Sequence, residues 1–503
     1  MQLVNFVGSR LGLKISLLDL HQPRAKSMKY YLTLCVSLFL FSTNLLADVE
    51  REAYQLQAFQ QQVIESEKVS FTVPENREKA KSRQLKLSYV RLPSLAKNPG
   101  NPIVYLSGGP GGSATEAATY PRFVLFQALR QQADVILFDQ RGTGLSDQLD
   151  DCQRDPTPLF VQPFTQSSLN AYLAKTISEC VSEWQQKKYD LDGYNTKESA
   201  EDLVVLQKVL GAEKLDFLAI SYGTHLALAT AKYHQDIIGK MVSASSEGLD
   251  QTIKLPAESD KLLGELNQRW QLQTANKNQP DLISMMREVH ARLAKSPELV
   301  SVKHPQTQQD IQLTLSELDV QLITSFIFLK NPDNQAGLPA FYQAMYAGNF
   351  QQAAAYSMAI KGQLGQFNPM AYAMDAASGI SPKRWKIVQK QSASAVLGRS
   401  TNLPFPDVNQ WLKVKELHEN FRAEFKSNLP ALFLIGDRDG RTFIAEQLET
   451  AKQFPHAQKV LIKGGGHDSF LANTQVVDAI GVFLADKLKS PPEIIIAEPL
   501  FKE

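Results

Sequence analysis

Short apolar runs alternate with helical periods between about residues 85 and 245, stop for some 180 residues, and return after residue 430. Strand-length runs are found at Leu87–Leu92, Ile103–Leu106, Val135–Asp139, Leu215–Ile220 and Met241–Ser245, and helical stretches at Ser168–Lys187, Lys197–Leu210 and Tyr222–His234. Parallel strands need crossovers long enough to hold a helix, so this alternation predicts an α/β domain with a mostly parallel sheet covered on both faces. From about 250 to 425 the pattern is mainly helical, at Asp260–Leu272, Asp281–Ala294, Leu315–Leu329, Pro339–Ala354 and Lys383–Leu397. One two-stranded excursion interrupts it at Leu299–Leu313, around a polar HPQTQQD turn. Strand patterns resume at Ala431–Ile435 and Lys459–Ile462, followed by a helix at Thr474–Lys487. The expected organisation is a core of residues 48–248 and 426–503, with a helical cap, 249–425, inserted between its halves. Sheets of this class bind ligands at the carboxyl ends of their strands, where such a cap roofs the site. The Pro-interrupted apolar tail after Lys489 is able to pack back on the body, and no function is assigned to it.

Residues 1–47 have a different character. Lys29 precedes an apolar stretch, Leu32 to Phe41, and Leu45-Leu46-Ala47 stands before polar Asp48. This is the order of a secretory signal, with an apolar stretch too short for a comfortable membrane span. Met28 lies just ahead of it and is the expected start, residues 1–27 then being an upstream extension. The chain is expected to be exported, periplasmic or secreted, with no stable membrane span after cleavage. Removal of residues 1–47 takes away five basic residues (Arg10, Lys14, Arg24, Lys26, Lys29) and one acid, Asp19. From 53 basic and 52 acidic residues, 48 and 51 remain, a net charge of −3. With no basic block either, nucleic acid is not expected as a partner. Cys35 falls inside the signal, which leaves Cys152 and Cys180. In an oxidising compartment they can close one loop, worth about 3–4 kcal/mol on the chain-entropy model; otherwise they are two buried thiols.

The run LDFLAISYGTHLALATA at 215–231 is a strand, a tight turn and a helix rich in small residues. A serine at the tip of such a turn, here Ser221, is exposed beside the positive end of the following helix. The usual G-x-S-x-G spacing is met except that Ala219 replaces the first glycine. A serine hydroxyl is a weak nucleophile unless a base takes its proton and a third group orients that base. His467 follows the strand at 459–462 in GGGHD, a loop able to bend it over the sheet. His225 lies one turn into the elbow helix and projects away from the serine. His234, His290, His304, His418 and His456 fall in helical or polar-loop contexts and are expected at the surface. The strand at 431–435 is followed by GDRDGRT, where Asp437 or Asp439 can orient the imidazole. Acyl transfer also needs donors for the developing oxyanion. The backbone N–H of Tyr222 is one; SGGPGG at 107–112, after the strand at 103–106, supplies the other at Gly109.

With DQRGTGLS at 139–146 added to SGGPGG, SYGT, GDRDGRT and GGGH, the chain resembles the α/β-hydrolase fold serine peptidases, in the branch of prolyl iminopeptidases and tripeptidyl aminopeptidases. The resemblance spans about residues 85 to 485 and includes the place of the cap. The chain order Ser221, Asp439, His467 matches that fold, and the family spacing after the glycine favours Asp439 over Asp437. Asp139, Arg141 and Ser146 are expected to tie the loop beside the oxyanion turn without touching substrate. Ser107, where many relatives carry His, removes a side chain but no backbone donor. The resemblance implies removal of residues from peptide N-termini, so an acid under the cap must hold the free ammonium; Glu247, just past the strand ending at Ser245, is the candidate. No metal or organic cofactor is implied. The rival readings are an esterase or amidase of small molecules, which the same triad serves, and a non-catalytic binding protein of the same fold, for which four intact catalytic parts are superfluous.

Overall fold

The computed structural model describes residues 48–273, 280–303, 308–471, 473–490 and 492–501. The expected signal and extension, residues 1–47, lie outside the described residues, as does His304. In chain order the strands are β1 (Glu50–Gln57), β2 (Val63–Pro74), β3 (Gln84–Leu92), β4 (Ile103–Leu106), β5 (Val135–Asp139), β6 (Cys152–Gln153), β7 (Leu215–Ile220), β8 (Ile238–Ala244), β9 (Glu298–Lys303), β10 (Asp310–Leu315), β11 (Gln366–Phe367), β12 (Ala431–Gly436), β13 (Gln458–Lys463) and β14 (Ile494–Ile495). Ten of them form one sheet in the order β1-β2-β3-β5-β4-β7-β8-β12-β13-β14. Pairing is antiparallel from β1 to β5 across that order and parallel from β5 to β14.

Successive side chains of a strand point to opposite faces, and here both faces are buried. On β7, Leu215, Phe217 and Ala219 join one apolar cluster with Leu203, Leu206 and Leu226 of the covering helices. Leu218 and Ile220 join the other, with Phe123, Phe126, Ile480 and Phe483. The same split divides Val104 and Leu106 from Ile103 and Tyr105 on β4. A near-continuous apolar run such as VILFD is the sequence form of a strand covered twice.

Between β8 and β12 the chain is mostly helical and supplies most of a third core, Leu263, Met286, Val289, Leu313, Phe341 and Leu397 among them, which Phe160 and Phe443 join from the flanking segments. The β9–β10 hairpin stands where the two-stranded excursion is expected, with Leu313 opposite Val300. Three expectations need correction. The single helix expected at Pro339–Ala354 is two, Leu338–Tyr346 and Gln351–Gln363, because Gly348 takes φ +92° and ends the first. The helix expected at Leu315–Leu329 runs from Glu317 to Ile323 and then widens into a π turn, Thr324–Phe328. β1 and β2, absent from the sequence reading, add an antiparallel edge: β1 is largely exposed, and β2 buries Val69, Phe71 and Val73 among polar residues that leave no unbroken apolar run.

The sulfurs of Cys152 and Cys180 are bonded, which joins β6 to the helix Gln166–Gln186. β6 in turn pairs with β11 of the insertion, Cys152 opposite Phe367. The tail also packs back: β14 extends the sheet beside β13, and Glu498 pairs with Arg269 and Arg438. No helix among the described residues is long and apolar enough to cross a membrane.

Candidate active site

β7 ends at Ile220, and Ser221 turns the chain at φ 55° directly into the helix Tyr222–Tyr233. A side chain with positive φ is costly and is held only where its surroundings dictate it. Here the Ser221 N–H donates to Ala244 O at 3.1 Å, and the Thr224 N–H to Ser221 O at 2.8 Å. The closest approach is at Gly223, where a Cβ would stand 2.0 Å from Leu106 O. Ala219, the departure from the usual elbow, is an ordinary strand residue. It lies in register with Leu106 and Ser243, and its methyl is buried in the core.

The loop after β13 brings His467 to the serine. His467 Nε2 lies 3.0 Å from Ser221 Oγ, and its Nδ1 lies 3.0 Å from Asp439 Oδ2. The His467 carbonyl accepts from Ser245 Oγ at 2.7 Å, and its N–H donates to Lys330 O of the insertion at 3.0 Å. Asp439 is buried, which favours its neutral form. His467, with the Thr442 hydroxyl and N–H, outweighs that and holds its carboxyl below the usual range. Asp437 does not reach the imidazole: its Oδ1 accepts the Gly464 N–H at 2.8 Å, and it lies beside Arg438.

The glycine turn after β4 passes directly against the nucleophile, since a Cβ on Gly108 would stand 3.0 Å from Ser221 Cβ. Gly109, at φ +123°, lines the cavity that Ser221 opens into. The N–H groups of Gly109 and Tyr222 have no acceptor among the described residues. Asp139 holds the turn's far side: its Oδ1 accepts from Ser113 Oγ and the N–H groups of Ala114 and Thr115, its Oδ2 from Leu145 N–H. Ser146 Oγ bridges Asp139 O and Ser88 N–H. Arg141 is wholly buried, bidentate to Asp202 at 2.7 Å on each arm, with further bonds to Glu75 O and Gly193 O. None of the three lines the cavity.

That cavity, about 270 Å³, is walled by both halves of the core and by the insertion, with Ser221, Gly109, Glu247, Lys254, Phe326, Tyr372, Asp375 and Arg441 among its lining residues. Glu247 is therefore in the expected cavity, but it is already paired. Lys254 Nζ lies 2.5 Å from its Oε2. Against the cost of burial, Lys254 and His225 hold the Glu247 carboxyl below its usual range. Asp375, on the insertion helix Pro369–Ser378, has no hydrogen bond or ion pair at its carboxylate among the described residues. Burial, reinforced by repulsion from Glu247, pushes its carboxyl well above the usual range. Asp375 and Arg441 escape the sequence reading because nothing in a helical period or a turn says which side chains face a cavity.

The other histidines are placed as follows. His225 is buried with its ring nitrogens on Gly248 O and Ser378 Oγ, away from Ser221. His418 and His456 are exposed, and His234 pairs with Glu201. The surface expectation fails for His290, which is buried in the insertion with Nε2 2.9 Å from Tyr342 Oη. It lies beside Met286, Val289 and Leu293 on the apolar face of its helix, a position the periodicity did carry.

The chain is similar to several known proteins. Over 179 residues the chain is 26% identical to the tripeptidyl aminopeptidase of Streptomyces coelicolor, an overlap of 34% of this chain and 33% of that one. Over 162 residues it is 28% identical to serine protease Hip1 of Mycobacterium tuberculosis, 31% of each chain. The chain thus spans about a third of the length of the curated relatives it matches. The crystal structure of proline iminopeptidase from Mycobacterium smegmatis aligns with a TM-score of 0.39 at 14% identity, over 83% of this chain and 98% of that one. The family model described as alpha/beta hydrolase fold matches residues 101–474, three-quarters of the chain, and with the elbow, glycine turn and sheet order just described this chain belongs to the α/β-hydrolase fold family.

Proposed function

We propose that the chain is an exported serine peptidase that removes residues from the free N-terminus of peptides through an acyl-enzyme. Ser221 Oγ attacks the scissile carbonyl while His467 Nε2 takes its proton. Asp439 holds the imidazole in the required tautomer and stabilises the imidazolium. The N–H groups of Gly109 and Tyr222 receive the oxyanion, each worth roughly 3 kcal/mol. His467 returns the proton to the leaving amine, and water then repeats the sequence on the acyl-enzyme. The observation that carries the peptidase reading is the Asp375 carboxylate, which lines the cavity of Ser221 without a partner among the described residues. A substrate ammonium meets there a carboxyl whose ionisation it favours, with the paired Glu247 beside it. The tripeptidyl aminopeptidase similarity supports the same reading.

The test is a panel of peptide anilides with free and blocked N-termini. Wild type is expected to cleave the free set, Ser221→Ala neither, and Asp375→Asn the free set with a raised KM. Turnover of aryl esters with none of any anilide would replace this reading by that of a small-molecule esterase or amidase. Failure of a fluorophosphonate to label Ser221 in folded protein would leave only the binding-protein reading. Export rests on the segment 28–47 and fits the Cys152–Cys180 bridge; N-terminal sequencing of the mature protein is expected to begin at Asp48, and a start well upstream would remove it.

A further inference from the structure

Among the described residues, Arg441 is the one cation of the cavity outside the Lys254–Glu247 pair. Its backbone is fixed twice. The Arg441 N–H donates to Asp439 Oδ1 at 2.8 Å. The preceding Gly440 is pressed onto the end of the π turn, where a Cβ would stand 2.2 Å from Leu329 O. From that anchored backbone the side chain lines the cavity that holds Ser221. Its guanidinium lies over the Phe326 ring, 4.8 Å from the ring centroid, and Phe326 sits on the π turn of the insertion. No hydrogen bond or ion pair is made by the guanidinium among the described residues, although every other charged group of this cavity except Asp375 has one. Burial disfavours its charged form, and Asp439, Glu247 and Asp375 return part of that cost from a distance without pairing with it.

A guanidinium offers five N–H donors in a planar fork that fits a carboxylate bidentately. Stacking on an aromatic face holds such a fork in place and leaves its edge free. A half-buried cation that lines a substrate cavity with its donors unspent is poised to receive an anion that arrives with the substrate. The charges of the cavity then balance in an informative way. Lys254 neutralises Glu247, so the groups left for a ligand are Asp375 and Arg441, one of each sign.

We infer that Arg441 forms an anion subsite within the cleavage cavity, so that the preferred substrate brings a carboxylate as well as a free ammonium. This rests on the peptidase reading above for where the acyl part lies. The carboxylate has two sources: an Asp or Glu side chain among the residues released, or the C-terminus of a very short peptide. A cavity shared by Ser221, Asp375 and Arg441 holds the acyl part, which favours the side chain.

The experiment compares kcat/KM within matched pairs, so that a general loss of activity cancels. Peptide anilides that differ only as Glu against Gln in the released residues report the side-chain source. Short Gln peptides with a free or amidated C-terminus report the other. A third pair, the p-nitrophenyl esters of succinate and butyrate, tests the charge without any peptide bond. Wild type is expected to favour the Glu anilide on the order of tenfold. Arg441→Gln brings that ratio to about one, Arg441→Lys keeps part of it, and Arg441→Glu reverses it toward a Lys-containing anilide. A preference seen only in the free-acid pair and lost in Arg441→Gln supports the subsite with the C-terminus as its ligand. Ratios in all three pairs that are equal in wild type and Arg441→Gln would overturn the subsite. If no peptide is cleaved but the esters are, the peptidase reading fails, and the succinate-to-butyrate ratio still decides Arg441.

Discussion

Asp437 and Asp439 stand two residues apart on one loop and serve different partners: Asp439 Oδ2 is 3.0 Å from His467 Nδ1, whereas Asp437 Oδ1 accepts the Gly464 N–H at 2.8 Å. The first orients the imidazole, and the second only shapes the turn that delivers it. Asp439→Asn is expected to lower kcat by about 10⁴-fold, the size of effect seen when a triad acid becomes an amide and the wrong tautomer is favoured. Asp437→Asn stays within about tenfold of wild type, since an amide oxygen still accepts that N–H. Steady-state kinetics on one good anilide separates them, and equal losses would reassign the acid.

Arg141 is expected to govern stability and not chemistry. Its guanidinium is fully buried between Asp202, Glu75 O and Gly193 O. Arg141→Met leaves Asp202 with Arg77 as its remaining cation. The loss is then at the lower end of the range for a broken buried pair, about 3 kcal/mol. Urea unfolding measures it, and kcat per folded molecule is expected to stay within a few-fold of wild type.

His290 predicts an acid limb in the stability curve. Burial lowers its pKa from the usual 6.5 to about 4. Between those values the unfolded chain binds more protons than the folded one, so stability is full above about pH 6.5 and falls as pH drops toward 4. The loss from this group is about 3 kcal/mol. His290→Gln, which keeps a polar partner for Tyr342, is expected to be less stable at pH 7 yet to show a shallower decline. Urea midpoints measured from pH 4 to 8 check this; parallel curves would refute it.

The disulfide is tied to the helix of Asp375 through the sheet register. Cys152 lies opposite Phe367 in the β6–β11 pair, and β11 leads into the helix that carries Asp375. Replacing Cys152 and Cys180 together by serine is expected to cost about 3–4 kcal/mol. It should also raise KM for free-amino peptides more than it changes turnover of a small aryl ester, which makes no use of Asp375. An equal change for both substrates would show that the bridge acts on stability alone.

What could be read from the sequence follows from how local each feature is. β4, β5 and β7 are legible to the residue because a doubly covered strand is an unbroken apolar run ended by a turn. Ser221, Gly109 and Asp439 are legible because each stands in the first residues after such a run, and His467 because a glycine triplet follows the shorter apolar run of β13. β1 and β2 are not, since β1 is a mostly exposed edge and β2 intersperses its buried Val69, Phe71 and Val73 with polar residues. Asp375 and Arg441 depend on how the insertion docks, which is a matter of tertiary packing and not of period. His290 departs from expectation because it shares the apolar face of its helix with Met286 and Val289, and Tyr342 Oη satisfies its ring.

At the elbow, a Cβ on Gly223 would meet Leu106 O, and one on Gly108 would meet Ser221 Cβ. Ser221 and the glycine turn are thus gauged against each other by close contacts, Gly223 on Leu106 O and Gly108 on Ile220 O and Ser221 Cβ. Side-chain changes elsewhere leave that spacing alone, so the insertion is free to diverge around a fixed chemical centre. Replacing cavity residues of the insertion can thus retune specificity without moving Ser221 against the glycine turn.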